Sequence, residues 1–171
     1  MSSNPARLVI TAHDRQGESI VAEDRMVEIS KMSAAGTNFH ALWGTDTIPD
    51  LPTDGSVDPR IAPFPPVGGI RFVQLVVQPE SEIDYSANDV QGVNVSDDSA
   101  PGRHVTASVD FCVVIEGEVI LELPEGREVV LRHGDSVVQN GTLHGRRNKT
   151  DSPARLGVFL VGANHSGISG N

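Results

Sequence analysis

Polar and apolar residues alternate strictly along residues 104–113. Every second residue is polar or ionisable: His104, Thr106, Ser108, Asp110 and Cys112. The residues between them are apolar: Val105, Ala107, Val109, Phe111 and Val113. Because successive side chains of a β-strand point to opposite faces, the polar residues would share one face and the apolar residues the other. The pattern predicts a strand and leaves open whether its polar face meets solvent or lines an internal site.

Short runs rich in Val, Ile and Phe recur along the rest of the chain, with turn residues between them. The runs cover residues 7–13, 19–29, 39–43, 71–77, 109–115, 118–123, 128–132, 135–139 and 155–162. No segment has the pattern of an amphipathic helix of three turns. Runs of this kind are typical of an all-β sandwich or closed barrel. We expect a tight hairpin turn at residues 123–128, because Gly126 can adopt a positive φ.

Two long segments between these runs are predicted to be loops. Residues 48–69 are rich in Pro and Gly, and residues 84–103 form the second loop. Loops of this length often carry function. The strands on both sides of the first loop are expected to pack together, so we interpret residues 1–171 as one domain. Its parts are the N-terminal strands and first loop (1–83), the second loop, and residues 104–163.

Composition narrows the classes of partner. The chain has 13 Lys and Arg against 23 Asp and Glu, a formal net charge of −10 with His neutral. Such a charge argues against nucleic acid and anionic membranes as partners. Cys112 is the only cysteine, which excludes an intramolecular disulfide and makes a Cys-based zinc site unexpected. The N-terminal residues lack the apolar stretch of a signal peptide or membrane span, so we expect a soluble cytoplasmic protein.

Two motifs in the last two fifths of the chain resemble those of the cupin superfamily. The first motif of cupins contains His-x-His, three or four residues, Glu, six residues and Gly; here His104-x-Thr106 is followed by Asp110 and Gly117 at that spacing. The second motif is matched by residues 134–148, which read GDSVVQNGTLHGRRN, with one residue fewer than usual and no Pro. Two motifs in the right order make the resemblance fairly specific.

The resemblance implies a single cupin jelly-roll barrel with additional N-terminal strands. The N-terminal segments are similar to a branch of small single-domain cupins found in bacteria and in fungal secondary-metabolite clusters, which reads His-x-Thr…Asp in the first motif. By this resemblance, the face carrying His104, Thr106 and Asp110 is the barrel interior. The opposite face, with Val105, Val109, Phe111 and Val113, is then expected to pack against N-terminal strands or a second subunit.

The resemblance also implies a metal centre. His104, Asp110 and His144 would form a set of two His and one carboxylate, which suits iron, manganese or zinc. Thr106 would hold a metal-bound water or orient the substrate. In the metal-free alternative, Asp110 hydrogen-bonds Ser108, Thr106 or a neighbouring His. The same residues would then act by acid–base chemistry, because burial raises the pKa of a carboxyl.

Several further residues have less specific patterns. His40 and Trp43 lie on one predicted strand. His40 either lines the barrel mouth or is an ordinary packed or surface residue, and an ordinary packed or surface residue is the more common situation. Tyr85 in the second loop and Arg146 just after His144 are candidates for covering the pocket. Two more arginines are candidates for binding a substrate carboxylate, although surface positions are expected for both: Arg71 and Arg103. His13, His133 and His165 are expected to be structural or solvated.

These observations favour a small-molecule lyase, a dehydratase-like cupin acting on an oxygenated metabolite. Asp110, His144, His104 and Thr106 are the predicted catalytic residues, with a metal ion as a possible aid. The alternatives are an iron-dependent oxygenase and a non-catalytic cupin that binds a metabolite. Oxygenase cupins often keep three His ligands, so Thr106 weighs against the first alternative. A homodimer is expected, because two-fold dimers are the most common oligomers.

Overall fold

The computed structural model describes residues 5–28, 30–34, 37–56, 62–83, 95–96 and 102–167. Its thirteen strands are β1 (Ala6–His13), β2 (Ser19–Val27), β3 (Ser30–Ala34), β4 (Thr37–Thr45), β5 (Ile70–Val77), β6 (Val95–Ser96), β7 (His104–Val105), β8 (Ser108–Glu116), β9 (Glu118–Leu123), β10 (Arg127–Arg132), β11 (Ser136–Asn140), β12 (Gly145–Arg147) and β13 (Ala154–Gly162). Two 3-10 turns, Glu80–Glu82 and Pro124–Gly126, complete the described elements. No helix among these residues is long and apolar enough to cross a membrane.

Two antiparallel sheets enclose the main hydrophobic core. Six strands form the larger sheet in the order β11-β8-β13-β5-β4-β3, and three strands form the smaller sheet in the order β10-β9-β12. Buried residues from both sheets pack into one cluster, in which Val77, Val119 and Leu156 have no exposed surface. Burying such a side chain contributes about 1.5–3 kcal/mol of hydrophobic stabilisation. The arrangement confirms the predicted all-β jelly-roll fold, although hydrogen bonds between the described strands do not close the sheets into a continuous barrel.

The N-terminal strands β1 and β2 form a separate hairpin that packs on the larger sheet. Leu8 and Ile10 of β1 join Val27 of β2 and Leu42 of β4 in a second hydrophobic cluster. His40 on β4 is fully buried, and its Nδ1 donates a hydrogen bond to the backbone carbonyl of Val27 at 3.0 Å. His40 is therefore a packed residue that attaches the hairpin to the sheet, and it does not line the barrel mouth.

The Pro/Gly-rich loop is held against the larger sheet by Arg71, which corrects the expectation that Arg71 lies on the surface. Its side chain is 3% exposed and donates to the carbonyls of Ala62 and Thr45 and to the carboxylate of Asp46. The loop also approaches Gly162 closely, where the backbones of Gly162 and residues 68–69 exchange two hydrogen bonds. The guanidinium is buried because loop carbonyls and Asp46 replace its hydration.

The nine predicted runs all form strands, with ends that differ by no more than two residues. Three short strands were not predicted: β3, β6 and β12. The strand predicted from alternation over residues 104–113 is interrupted at residues 106–107, so it forms β7 and most of β8. The hairpin turn at 123–128 is confirmed, and Glu125 as well as Gly126 has a positive φ, 62° and 70°. Tyr85 and most of the 84–103 loop lie outside the described residues.

The apolar face of β8 is more exposed than expected. Phe111 is 48% exposed and Val113 is 40% exposed, so within the described residues neither is covered by the N-terminal hairpin. The hairpin instead borders an apolar groove of about 500 Å³, whose walls include Leu8, Trp43 and Phe159. The predicted site residues do not line this groove.

Candidate functional site

The polar face of β8 is the interior face. Thr106, Ser108, Asp110 and Cys112 are each no more than 4% exposed. The Ser108 hydroxyl lies 2.6 Å from Oδ1 of Asp110 and 3.0 Å from the Thr106 hydroxyl. A hydroxyl donates only one proton, so Ser108 donates to the carboxylate and accepts from Thr106. The three side chains form a short buried relay that ends on Asp110.

Burial controls the protonation of Asp110. On the interior face, Asp110 is in register with Gln139 of β11 and Leu160 of β13. Burial raises the pKa of Asp110, while the hydrogen bond from Ser108 and the positive charge of Arg146 oppose that rise. The raised pKa favours the carboxylic acid form, which can donate a proton as well as accept one.

His104 and His144 lie side by side, because their backbones form an isolated antiparallel bridge. Each backbone N–H donates to the carbonyl of the other, and the ring centroids are 4.5 Å apart at an angle of 54°. Nδ1 of His104 lies 3.0 Å from the Gly102 carbonyl, and Nδ1 of His144 lies 2.8 Å from the Thr142 carbonyl. A carbonyl can only accept, so both protons are on Nδ1 and both Nε2 atoms carry a lone pair.

Both imidazoles are neutral at pH 7. Burial, followed by the charge of Arg146, lowers the pKa of His104 to about 4. The same two causes, with a smaller effect of His104, lower the pKa of His144 to about 2. These rings therefore offer lone pairs and do not act as positive charges.

Arg146 points into the interior rather than covering the pocket from outside. It pairs in register with the buried Leu121 of β9, and its guanidinium lies 3.6 Å from Sγ of Cys112. It is thus a positive charge within reach of the polar face of β8. The neighbouring Arg147 lies on the opposite face of β12, where it pairs with Glu80 and Glu122.

The donor chemistry of the site suits a metal ion only in part. The two His have free Nε2 lone pairs and Nδ1–H groups bonded to carbonyls, as metal-binding His often do. However, no three His, Cys, Asp or Glu side chains among the described residues are grouped so that they could share one metal ion. His104, Asp110 and His144 therefore do not fit a three-ligand site here, and metal binding stays a prediction from the resemblance.

Sequence reasoning missed two contributions to this interior site. Gln139 is 4% exposed, and its amide Nε2 donates to the hydroxyl of Thr142. Arg146 is a candidate for covering the pocket by its sequence position, but its side chain lies on the interior face. Alternation could have identified both, since Gln139 is two residues from the partly buried Val137 and Arg146 is two residues from His144. Arg103 is half-buried, and its side chain lies beside Gly145.

Comparison with known proteins agrees with this fold. Residues 91–161 match the family model described as Cupin domain, Cupin_2. The chain is 27% identical over 154 residues to the phomopsin biosynthesis cluster protein D of Diaporthe leptostromiformis, covering 89% of this chain and 75% of that protein. It is 33% identical over 103 residues to the cupin-domain-containing oxidoreductase fogC of Aspergillus ruber, covering 52% of this chain and 51% of that protein.

Among solved structures, the polyketide cyclase RemF of Streptomyces resistomycificus aligns with a TM-score of 0.47 at 18% identity, covering 82% of each chain. Likeness at this level carries no information about activity. The family match covers β6 to β13 except for the last residue of β13, and thus includes every interior residue of the site. Together with the jelly-roll fold and the two motifs, this match shows that residues 91–161 contain a cupin domain.

Proposed function

We propose that the interior pocket is an acid–base site of a dehydratase-like lyase that acts on a small oxygenated metabolite. One observation carries the proposal: a buried carboxyl with a raised pKa, Asp110, ends a hydroxyl relay in a pocket that also presents two neutral imidazoles. Burying ionisable groups is costly, and a pocket that only binds an apolar ligand has no need of them.

The proposed base is an imidazole Nε2. Because Nδ1 of each ring is held by a carbonyl, the lone pair on Nε2 is the group available to remove a proton α to a carbonyl. His104 is the better base of the two, since its pKa of about 4 is the higher and its side chain is only partly buried. His144 supports the ring of His104 through their backbone bridge and ring contact.

The proposed acid is Asp110 in its carboxylic form. When the α proton moves to His104, its C–H electron pair forms the new double bond and the C–O bond of the hydroxyl breaks. Asp110 gives its proton to the departing hydroxide, which leaves as water. The Ser108 and Thr106 hydroxyls then stabilise the carboxylate until the proton on His104 is returned.

An oxidoreductase is the second candidate, because fogC carries that description and is 33% identical over 103 residues. Such a reaction would need a redox centre, whereas the dehydration step uses only proton transfers by residues present in the pocket. The two functions therefore differ in whether turnover requires a bound redox metal.

The test is proton exchange in D2O with a panel of 3-hydroxy acids and 3-hydroxy ketones, followed by ¹H NMR. The wild type is expected to remove the α-proton signal and to form vinyl signals. Asp110→Asn keeps the shape of the side chain but cannot cycle a proton, so it should lose vinyl formation by about 100-fold or more. Asp151→Asn changes an exposed carboxyl and should be unaffected. Vinyl formation at the wild-type rate by Asp110→Asn would remove Asp110 from the mechanism.

The expected homodimer is part of this proposal and remains a prediction. Light scattering coupled to size-exclusion chromatography measures it directly: a mass near 36 kDa, twice the 18.2 kDa of the chain, is the expected value.

A further inference from the structure

The pocket contains buried hydrogen-bond acceptors with no partner among the described residues. Oε1 of Gln139 and Nε2 of His144 are both buried, and neither makes a hydrogen bond within the described part of the chain. Buried polar atoms are nearly always bonded, so an unbonded one calls for an explanation. Gln139 is in register with Asp110 on the interior face, which places its amide beside the proposed acid.

The pocket also contains a cation that forms no ion pair with a carboxylate of the described residues. The contact given by the Arg146 guanidinium is to Sγ of Cys112, a weak acceptor. Arg147, the next residue, shows the usual arrangement, because it pairs with Glu80 and Glu122 on the other face of β12. The carboxyl of Asp110 is engaged with Ser108 through Oδ1.

We infer that the pocket binds a hydroxy acid, with its carboxylate on Arg146 and its hydroxyl donating to Oε1 of Gln139. This inference rests on the proposed function and adds the class of substrate. The planar guanidinium presents paired N–H donors that match a carboxylate, and the carboxylate supplies the missing negative charge. The hydroxyl supplies the missing donor for Gln139 and lies beside Asp110, the group proposed to protonate it on departure.

The net negative charge of the protein means that binding of a carboxylate requires a local positive charge. With a net charge of −10, the protein as a whole repels anions. A preference for a carboxylate over an uncharged analogue therefore has to come from a local cation, and Arg146 is the cation on the interior face of β12.

The test compares three probes by ¹H–¹⁵N NMR titration at fixed ionic strength: 3-hydroxybutyrate, the uncharged 3-hydroxybutyramide, and butyrate, which lacks the hydroxyl. The wild type is expected to bind 3-hydroxybutyrate at least about 10-fold more tightly than either analogue. The amide cannot neutralise the charge of Arg146, and butyrate leaves the buried Oε1 of Gln139 without a donor. Arg146→Gln should lose the preference for the acid over the amide. Gln139→Met should lose the preference for the hydroxyl and keep the preference for the carboxylate.

Two further variants serve as controls. Arg147→Gln makes the same change on the outer face and should keep both preferences, while Arg146→Lys retains the positive charge and should keep part of the preference for the acid. Equal affinities of the wild type for acid and amide, no saturable shifts, or an unchanged preference in a folded Arg146→Gln would each overturn the inference.

Asp110→Asn separates this inference from the proposed function. It is expected to bind 3-hydroxybutyrate with the wild-type preference over the amide and to lose vinyl formation. Normal vinyl formation by Asp110→Asn would refute the acid–base function and leave the binding result standing. If Asp110→Asn loses vinyl formation but the wild type binds the acid and the amide equally well, the hydroxy-acid inference alone is refuted.

Discussion

Replacing Ser108 with Ala tests the relay that ends on Asp110. The Ser108 hydroxyl lies 2.6 Å from Oδ1 and donates to the carboxylate, so it stabilises the charged form of Asp110. A hydrogen bond to a charged group contributes about 1.5–3 kcal/mol. At about 1.36 kcal/mol for each pKa unit, its loss should raise the pKa of Asp110 by roughly one to two units. The expected change is upward, because removing a donor to the carboxylate favours the acid.

The assay is a ¹³C NMR titration of the Asp110 carboxyl, which needs no substrate. Ser108→Ala should titrate at higher pH than the wild type. Thr106→Val should shift the titration in the same direction by less, because Thr106 acts on the carboxylate only through Ser108. If Asp110 acts as the acid, the alkaline limb of the rate profile should move upward by the same amount. A pKa that falls or stays constant in Ser108→Ala would refute the relay.

The remaining predictions concern stability and metal content. Because the pKa of His104 is lowered, the unfolded chain binds more protons than the folded protein between about pH 6.5 and 4, and this part of the free energy of unfolding is lost as the pH falls. The pH dependence of urea unfolding should therefore be weaker in His104→Gln, and an unchanged slope would contradict the buried neutral ring. Gly162→Ala should cost at least about 3 kcal/mol in the same assay, because its Cβ would lie 1.8 Å from the Pro66 carbonyl oxygen. Gly157→Ala meets only side-chain tips at 3.3 Å and should cost clearly less; similar losses would contradict the close approach. Elemental analysis should give the same metal content for the wild type and Asp110→Ala. One iron, manganese or zinc per chain in the wild type that is lost in the variant would restore the three-ligand hypothesis.

Alternation in the sequence was sufficient to predict which side chains of β8 share a face, and the resemblance to cupins assigned that face to the interior. A period of two places Thr106, Ser108, Asp110 and Cys112 together whatever the strand pairs with. Alternation cannot be recognised in a strand as short as β12, which has three residues. β12 forms because Arg146 pairs with Leu121 of β9, which is distant in sequence. β7 pairs with β6, and His104 makes a further isolated bridge to His144.

The sequence could not predict which strand faces and side chains are covered by the N-terminal hairpin or by a loop. Phe111 and Val113 were correctly placed opposite the polar residues, but their exposure depends on where the N-terminal hairpin lies. The burial of His40 depends on the same hairpin, through the Val27 carbonyl. Arg71 was expected at the surface because arginine usually is exposed, and it is buried because a loop without regular structure folds its carbonyls around the guanidinium.

The sequence also could not predict which charged side chains form ion pairs at the interior site. Arg146 and Arg147 are adjacent and chemically identical, yet one lies against Cys112 and the other against two carboxylates. The difference arises from register, because Arg146 pairs with Leu121 on the interior face and Glu80 reaches β12 from a turn 67 residues earlier. The sequence alone does not distinguish these two arginines, but the fold does. Arg147 has carboxylate partners within the described chain and Arg146 has none there, so we expect the ligand to supply a carboxylate to Arg146.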